Sequence, residues 1–358
     1  MTLLRIPGLV DPHVHLRDLD WSHKATVESE TAAALAGGYW AVLDMPNTPP
    51  TTTTAARLAA KAEHVAERAR CDFGLYLGAH QQGNEAEYAA AAPGAVGLKM
   101  YCDQTTGDLL IADQEQRRAH LAAWGASARS PVALHAEGAT LEAVLALVRE
   151  LRVRVHACHV SRRDEVAMLR RAKADGLPVS VGVTPHHLYL CEADAARLGG
   201  YGRVKPPLPT PADNAALWEA VADGTVDVVE SDHAPHTRAE KEAPEPAYGL
   251  PGLETTLPLM ALAVAEGRLD QDRLVELLAT NAQRLFGLRP PVGTVTLVDM
   301  TDSWVIADAE LRCAPGWSPF AGMRVRGRVR EVRIRGELAY DGERVLAQPG
   351  SGRNVRWP

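Results

Sequence analysis

Eight short apolar runs alternate with stretches of helical spacing between residues 6 and 232 of this 358-residue chain. Short runs rich in Val, Leu and Ile are typical of buried strands, and strands that alternate with helices predict a parallel sheet. Because eight such strands close a barrel, we predict the α/β fold class, as a (β/α)8 TIM-like barrel. The predicted strands span residues 6–10, 39–45, 72–78, 95–101, 131–137, 153–160, 177–183 and 226–232. The clearest predicted helices span residues 24–36, 51–70 and 140–151.

The pattern changes after about residue 312. Residues 323–346 alternate polar and apolar side chains, and the pair Asp341-Gly342 is a turn signal. This combination predicts antiparallel strands with one solvated face. We therefore predict two domains: a barrel that carries the active site, residues 1–311, and a small β-rich C-terminal appendage packed on it, residues 312–358. The formal net charge of −7 favours a solvated arginine face over a nucleic-acid site in the appendage.

Composition excludes several classes of protein. No run of about 18 apolar residues is present, so the sequence predicts no membrane-spanning helix. The first ten residues are too short for a signal peptide and lead directly into the segment that contains His13 and His15, so we expect no signal peptide. Five cysteines without CxxC spacing indicate a reducing compartment with free thiols. We therefore expect a cytoplasmic location, and neither a membrane nor a nucleic-acid partner.

Polar side chains gather at the carboxyl ends of the predicted strands, where barrel enzymes hold their catalytic groups. The first strand runs into DPHVHLRD, in which His13, His15 and Arg17 lie two residues apart and share one face. Later strand ends supply Asn47, Lys99, His135, Glu137, His159, Asp232 and His236. Imidazole and carboxylate groups bind zinc, and an arginine favours an anion. The sequence therefore predicts a metal centre beside an anion-binding group.

Six metal-competent groups on five strands favour a centre with two divalent ions. They are His13, His15, Lys99, His135, His159 and Asp232. A protonated lysine would repel such ions, because both carry positive charge. A neutral lysine amine can instead add carbon dioxide and become a carbamate anion with two oxygens. We hypothesise that Lys99 is carboxylated and bridges two zinc ions, and the alternative is a lysine paired with an acid.

These motifs, in this order, resemble the dihydroorotases of the cyclic amidohydrolase superfamily, and among them the dihydroorotase domain of the animal multifunctional pyrimidine-synthesis protein. The likeness runs nearly from end to end. It rests on GLVDPHVHLRD, TAAALAGGYWAVLDMPNT, VGLKMY, LHAE, HACHV, GLPVSVGVTPHHLYL, SDHAPHT followed by Glu240-Lys241, GLPGLETTLPL and NVRWP. The set is specific, whereas the HxH pair alone marks the whole superfamily.

The resemblance implies a centre with two Zn2+ ions per chain. The implied ligands are His13, His15 and Asp232 for one ion, and His135 and His159 for the other. Carboxylated Lys99 would bridge the two ions, and Asp232 would also be the catalytic proton shuttle. A third metal near Cys158 is not expected, because Gly182 stands where the animal domain has a glutamate ligand.

The resemblance also implies how a substrate is held. The carboxylate that does not react would be bound by Arg17, Asn47 and His236. Residues 102–109 would form a mobile loop over the site, and would bring Thr105 and Thr106 to the substrate. The backbone at Tyr248 and Gly249 would hydrogen-bond the ring. Lys205 stands where the animal domain has a substrate-binding arginine; it keeps the charge and loses the bidentate geometry.

The implied activity is that of a dihydroorotase, the zinc-dependent reversible cyclisation of N-carbamoyl-L-aspartate to (S)-dihydroorotate in de novo pyrimidine biosynthesis. Two alternatives stay open. The first is another cyclic amidohydrolase, such as a hydantoinase, a dihydropyrimidinase or an allantoinase. The second is an inactive homologue that acts as a scaffold for aspartate transcarbamoylase. The resemblance further implies a homodimer, and association with aspartate transcarbamoylase is one expected partnership.

Overall fold

The computed structural model describes residues 3–356. At its centre lies an eight-stranded parallel barrel, in which each strand pairs with the next one along the chain. Its strands are β2 (Leu9–Val14), β3 (Tyr39–Asp44), β4 (Asp72–Gly78), β5 (Gly97–Tyr101), β6 (Val132–His135), β7 (Val155–Ala157), β8 (Val179–Val183) and β9 (Val228–Val229). Strands that are buried on both faces have nearly continuous apolar sequences, which made them recognisable. The predicted barrel is confirmed.

The barrel closes between its first and last strands. Val14 forms a parallel bridge with His233, just beyond β9, and the His15 amide donates to the His233 carbonyl over 2.7 Å. The imidazole of His233 is itself fixed, because Nδ1 accepts from the Gly252 amide and Nε2 lies 2.6 Å from Glu30 Oε2. Closure therefore places the carboxyl end of β2 directly beside that of β9.

Helices surround the barrel and fill the connections between its strands. They are α1 (Val27–Ala36), α2 (Ala55–Ala66), α3 (Tyr88–Ala91), α4 (Gln114–Ser127), α5 (Gly138–Leu151), α6 (Arg163–Ala174), α7 (Pro185–Tyr189), α8 (Glu192–Leu198), α9 (Pro211–Ala222), α10 (Arg238–Lys241), α11 (Leu253–Ala265), α12 (Gln271–Val275) and α13 (Asn281–Phe286). Within residues 3–356, no helix combines the length and the apolar character needed to cross a bilayer.

Two helices begin later than the sequence pattern predicts. The α1 helix begins at Val27 because the Thr26 side chain caps it and accepts the Ser29 amide. The α2 helix begins at Ala55 for the same reason, with Thr54 as its cap. Residue 24 is thereby left outside the helix.

A second, antiparallel sheet packs on the barrel, with strand order β1-β10-β11-β12. Its strands are β1 (Leu4–Ile6), β10 (Val295–Val305), β11 (Arg324–Ile334) and β12 (Glu337–Tyr340). The antiparallel pairing predicted within residues 323–346 is confirmed by β11 and β12. Because β1 and β10 also join this sheet, its strands come from both sides of residue 312. The domain division at residue 312 stays a prediction.

Apolar and charged contacts attach this sheet to the barrel. Val329 and Val332 of β11 belong to the same continuous core as the barrel side chains. The Arg335 guanidinium donates to the Asp72 carboxylate over 2.7–3.0 Å, and Asp72 Oδ1 also accepts the Arg353 amide over 2.9 Å. One carboxylate at the start of β4 thus joins the barrel, the second sheet and the C-terminal segment.

We predict that Asp72→Ala lowers the free energy of unfolding by about 2–3 kcal/mol, because it leaves a half-buried guanidinium and a backbone N–H without their acceptor. Urea titration followed by circular dichroism measures this change. The matched control is Asp175→Ala, which removes the exposed partner of Arg149 and should cost less than about 1 kcal/mol. Equal losses in the two variants would contradict the anchoring role of Asp72.

Candidate active site

The carboxyl ends of β2 and β9 bring together the first group of predicted metal ligands. Asp232 Oδ1 lies 3.2 Å from His13 Nε2 and 3.4 Å from His15 Nε2. One ligand atom from each of these residues lies within 4.8 Å of the other two. All three side chains are buried. Three convergent nitrogen and oxygen ligands are what a zinc-type site requires of the protein.

The second group adjoins the first. His135, at the end of β6, places Nδ1 3.1 Å from Nε2 of His159, which follows β7. The ring centroids of His159 and His13 are 5.1 Å apart, so the four imidazoles form one continuous cluster. His159 and Asp232 both have left-handed backbone conformations, with φ of 36° and 45°. Such strain in non-glycine residues is concentrated at functional sites.

Lys99 completes the predicted ligand set from β5. Its side chain is fully buried, with Nζ 3.5 Å from Cys158 Sγ and 5.0 Å from the centre of the Tyr101 ring. Among residues 3–356, no carboxylate lies within the 4.0 Å ion-pair limit of Nζ. An isolated ammonium is costly to bury. The structure therefore does not contain the acid-paired lysine that was the alternative.

The protonation states of this cluster fit a metal ion. Burial lowers the pKa of His15 to about 3 and also depresses the pKa of His135 and His159. Burial raises the pKa of Asp232, but the surrounding histidines outweigh it and hold that pKa well below its usual value. Neutral imidazoles beside an ionised carboxylate are the forms that bind metal. Within this cluster, three buried imidazole nitrogens have no hydrogen-bond partner among residues 3–356: His13 Nδ1, His135 Nε2 and His159 Nδ1.

Cys158 lies near this cluster without the chemistry of a ligand. Its Sγ comes within 4.8 Å of ligand atoms of His13 and Glu230. Burial raises the pKa of the Cys158 thiol far above its usual range. Because a metal binds the thiolate, this environment agrees with the expectation of no third metal, which stays a prediction.

Glu230 is a supporting residue that the sequence analysis missed. It is fully buried; Oε1 accepts the His159 amide over 2.6 Å and lies 3.6 Å from His13 Nδ1, and Oε2 lies 3.1 Å from His156 Nε2. A Cβ atom at Gly182 would come within 2.6 Å of Glu230 Oε1, so this carboxylate needs a glycine there. Its sequence signal was a charged residue inside the apolar strand run VDVVESD.

The side chains predicted to bind substrate surround the ligand cluster. A pocket is lined by the four histidines of the cluster and Asp232, together with Arg17, Asn47, Tyr101, Thr105, Thr106, Lys205, Ala234, Tyr248 and Gly249. His236 is the exception among the predicted contacts. It is fully buried, and its Nε2 lies 3.1 Å from Arg17 Nη2. The structure therefore places His236 against Arg17 and outside the pocket lining.

Arg17 is held from one side only. Its Nε donates to the Pro235 carbonyl over 3.2 Å, and Nη2 donates to His236. Burial, reinforced by Arg17 and Lys24, lowers the pKa of His236 far below its usual value, so this imidazole is neutral and can accept. Nη1 of Arg17 is buried and has no partner within residues 3–356. One end of a buried guanidinium is thus available to a ligand.

Asn47 connects His15, a predicted metal ligand, to the loop of residues 102–109. Its Oδ1 lies 2.8 Å from His15 Nδ1, and its Nδ2 donates to the Thr106 carbonyl over 3.1 Å. With Nδ1 protonated toward Asn47, His15 presents Nε2 as the free ligand atom. Residues 102–109 are further anchored through Asp103, which accepts the Glu137 amide over 2.7 Å.

Comparisons with known proteins identify the family of the chain. The amidohydrolase family profile matches residues 4–339. Multifunctional protein CAD from Squalus acanthias is 42% identical over 358 residues, covering 99% of this chain and 16% of that protein; the chain thus spans about a sixth of that relative. A dihydroorotase from Pyrococcus furiosus is 33% identical, covering 98% of this chain and 85% of the relative.

Among solved structures, an L-hydantoinase (dihydropyrimidinase) from Arthrobacter aurescens superposes with a TM-score of 0.93 at 28% identity, covering 99% of this chain and 89% of its own. The family match covers nearly the whole chain, and the dihydroorotase relative is itself covered over most of its length. The chain therefore belongs to the amidohydrolase family, and within it to the dihydroorotases.

Proposed function

We propose that the chain catalyses the reversible cyclisation of N-carbamoyl-L-aspartate to (S)-dihydroorotate and water. The observation that carries this proposal is the position of Arg17 beside the ligand cluster. Its guanidinium is buried, and burial lowers its pKa to about 10, which leaves it cationic at neutral pH. No carboxylate forms an ion pair with it in the described chain. Dihydroorotate and carbamoyl-aspartate both carry a carboxylate that can supply the missing anion.

The same residue separates this activity from its alternatives. Hydantoin, dihydropyrimidines and allantoin are neutral rings without a free carboxylate, so they would leave Arg17 buried without a counter-ion, which is unfavourable. An inactive scaffold would have no need for a complete ligand set. Here the four histidines, Lys99 and Asp232 are all present and, Lys99 apart, all line the pocket.

The ligand residues would hold two zinc ions, the first with His13, His15 and Asp232 and the second with His135 and His159. Carboxylated Lys99 would bridge them, and its buried, unpaired amine supports this assignment. Bound there, zinc supplies an activated water near neutral pH and polarises a carbonyl. A neutral imidazole has a lone pair free for a metal ion and a protonated one does not, so the neutral histidines favour zinc binding.

The protein's own groups would orient the substrate and move its proton. Arg17 would bind the carboxylate that does not react, and the second N–H of Asn47 would reach the same carboxylate. Asp232 is ionised and borders the pocket, so it would accept the proton of the ureido nitrogen as the C–N bond forms. It would pass this proton to the carboxylate oxygen, which leaves as hydroxide when its C–O bond breaks and takes one further proton from solvent to become water. In hydrolysis, Asp232 would return that proton to the leaving ring nitrogen. Lys205, Thr105 and Thr106 would contact the substrate from the pocket wall.

Partners and location follow the same proposal. A homodimer, an association with aspartate transcarbamoylase and a cytoplasmic location are all proposed from the likeness to pyrimidine-synthesis proteins. Two relatives, 42% and 40% identical to this chain, are much longer proteins of which it covers 16%, and this supports the proposed association with another enzyme.

We predict that Arg17→Gln lowers kcat/KM for carbamoyl-aspartate by about 100- to 1000-fold, because losing one partner of a buried charge pair costs roughly 3–4 kcal/mol. Zinc content should be unchanged. The matched control is Arg273→Gln, which removes an arginine that binds the Val221 and Val226 carbonyls and should retain activity. Wild-type turnover of hydantoin or allantoin above that of dihydroorotate would refute the proposed substrate.

Lys99→Ala is expected to abolish binding of two zinc ions per chain and to lower kcat/KM by at least about 1000-fold, since the bridging anion is lost. Elemental analysis counts the metal, and native mass spectrometry of the wild type should show the added mass of one carbon dioxide. Lys173→Met, which alters a lysine paired with Asp227, is the control. Full zinc occupancy in Lys99→Ala would exclude the bridged centre.

The equilibrium should depend on pH in a defined direction. Cyclisation converts a dianion to a monoanion and consumes one proton, so the ratio of dihydroorotate to carbamoyl-aspartate should fall about tenfold for each unit rise in pH. Acid pH therefore favours dihydroorotate. Chromatography of mixtures equilibrated with the enzyme between mildly acid and mildly alkaline pH measures the ratio, and a constant ratio would rule out this reaction.

A further inference from the structure

Lys241, the last residue of α10, has a buried ammonium that makes three contacts with main-chain carbonyls. Its Nζ donates to Arg203 O over 3.1 Å, to Ala247 O over 2.7 Å and to Gly249 O over 2.8 Å. The residue is 1% exposed, and in the described chain it forms no ion pair with a carboxylate. All three donors of this lysine are therefore directed at backbone.

The three acceptors lie on two irregular segments, residues 203–206 and residues 247–249. Neither segment belongs to a helix or a strand, so their carbonyls lack the regular partners that secondary structure supplies. Between their main chains, one direct hydrogen bond is present, from the Gly249 amide to Arg203 O over 3.0 Å, and one side-chain hydrogen bond runs from Arg203 Nη2 to Tyr248 Oη over 2.8 Å. Buried carbonyls without donors are costly. Here the three N–H donors of one ammonium satisfy carbonyls that would be paired with backbone N–H groups if the two segments formed a β-sheet.

These two segments form one wall of the pocket. They contribute Lys205, Tyr248 and Gly249 to its lining. Their side chains also contact one another, because the Arg203 guanidinium lies 4.3 Å from the centre of the Tyr248 ring and the Lys205 ammonium lies 5.8 Å from it. A displacement of either segment therefore moves a cation and an aromatic ring that face the substrate.

Residues 247–249 of this wall are also packed closely against the barrel. Gly249 has a φ of +127°, and a Cβ atom there would approach Ala234 Cβ to 2.7 Å and Ala234 O to 2.8 Å. Residues 247–249 therefore pack directly on the segment that follows Asp232. Both main-chain groups of Gly249 are already used within the protein, and only the second lone pair of its carbonyl is left for a ring.

The charge state of Lys241 is balanced between two effects. Burial and the neighbouring Arg203 guanidinium lower its pKa to about 7. The three carbonyls favour the ammonium, because a neutral amine has one N–H donor fewer. Trp317 adds to this, since its ring centre lies 5.7 Å from Nζ.

We propose that Lys241 is the positioning residue for the substrate-binding wall: it clamps residues 203–206 to residues 247–249 and thereby places Lys205 and Tyr248 against the bound pyrimidine precursor. This inference rests on the proposed function for its substrate and on the contacts above for its geometry. Lys241 touches neither substrate nor metal ligand, so it should govern binding and leave the chemical step intact.

The test is Lys241→Met in the full chain, with Lys173→Met as the control. Met keeps the length of the side chain and removes all three donors. We expect KM for carbamoyl-aspartate to rise about tenfold or more, the effect of losing hydrogen bonds worth 1–2 kcal/mol, with kcat changed less than about threefold and zinc content unchanged. Hydrogen exchange should become faster in peptides covering residues 203–206 and 247–250. Lys173→Met should leave KM and exchange in these peptides unchanged.

Two further results decide the proposal. If Lys241→Met does not fold, Lys241→Gln retains two donors and should give a smaller rise in KM with the same change in exchange. An unchanged KM with unchanged exchange in either variant overturns the positioning role. If the wild type does not cyclise carbamoyl-aspartate, the proposed function fails, while the exchange experiment still tests the clamp.

Discussion

Closure of the barrel between β2 and the end of β9 is the constraint on which the site depends. The contact of Val14 and His15 with His233 brings residues from opposite ends of the barrel sequence into one cluster. Without it, His13 and His15 would have no reason to meet Asp232. The buried Glu30–His233 pair ties this seam to α1. Glu30, in the first turn of α1, therefore helps to position the ligand cluster through the imidazole of His233.

Two basic side chains of the site are buried without a counter-ion within residues 3–356. Arg17 and Lys99 are both buried cations, or potential cations, that lack a carboxylate partner among the described residues. Lys241 has the same burial, but backbone carbonyls satisfy it. Backbone carbonyls thus satisfy one buried lysine, whereas Arg17 and Lys99 are left without an anionic partner in this part of the chain. Burying a basic group without a counter-ion destabilises the free protein, and binding of an anion would remove this cost. Such a loss of stability in exchange for function is common at binding sites.

The sequence predicted the barrel because apolar runs mark buried strands. It also predicted which side chains lie at the carboxyl ends of those strands, and their role as metal ligands stays a prediction. It could not locate Glu230 or Lys241 as supports, since their partners are set by tertiary packing. His236 was expected at the substrate, and packing places it against Arg17. The strand Leu4–Ile6 was also missed, because three residues carry too little periodicity to identify a strand whose partner is about 290 residues away.

The double role of Asn47 has a thermodynamic consequence. One amide orients His15 and also holds the Thr106 carbonyl of the loop over the pocket. At the proposed centre, metal binding and the position of that loop would therefore be linked equilibria, and linkage is reciprocal. If a bound metal ion stabilises the closed position of the loop, the closed loop stabilises metal binding by the same free energy. A substitution that weakens the loop would then raise the dissociation constant of an ion that it never touches.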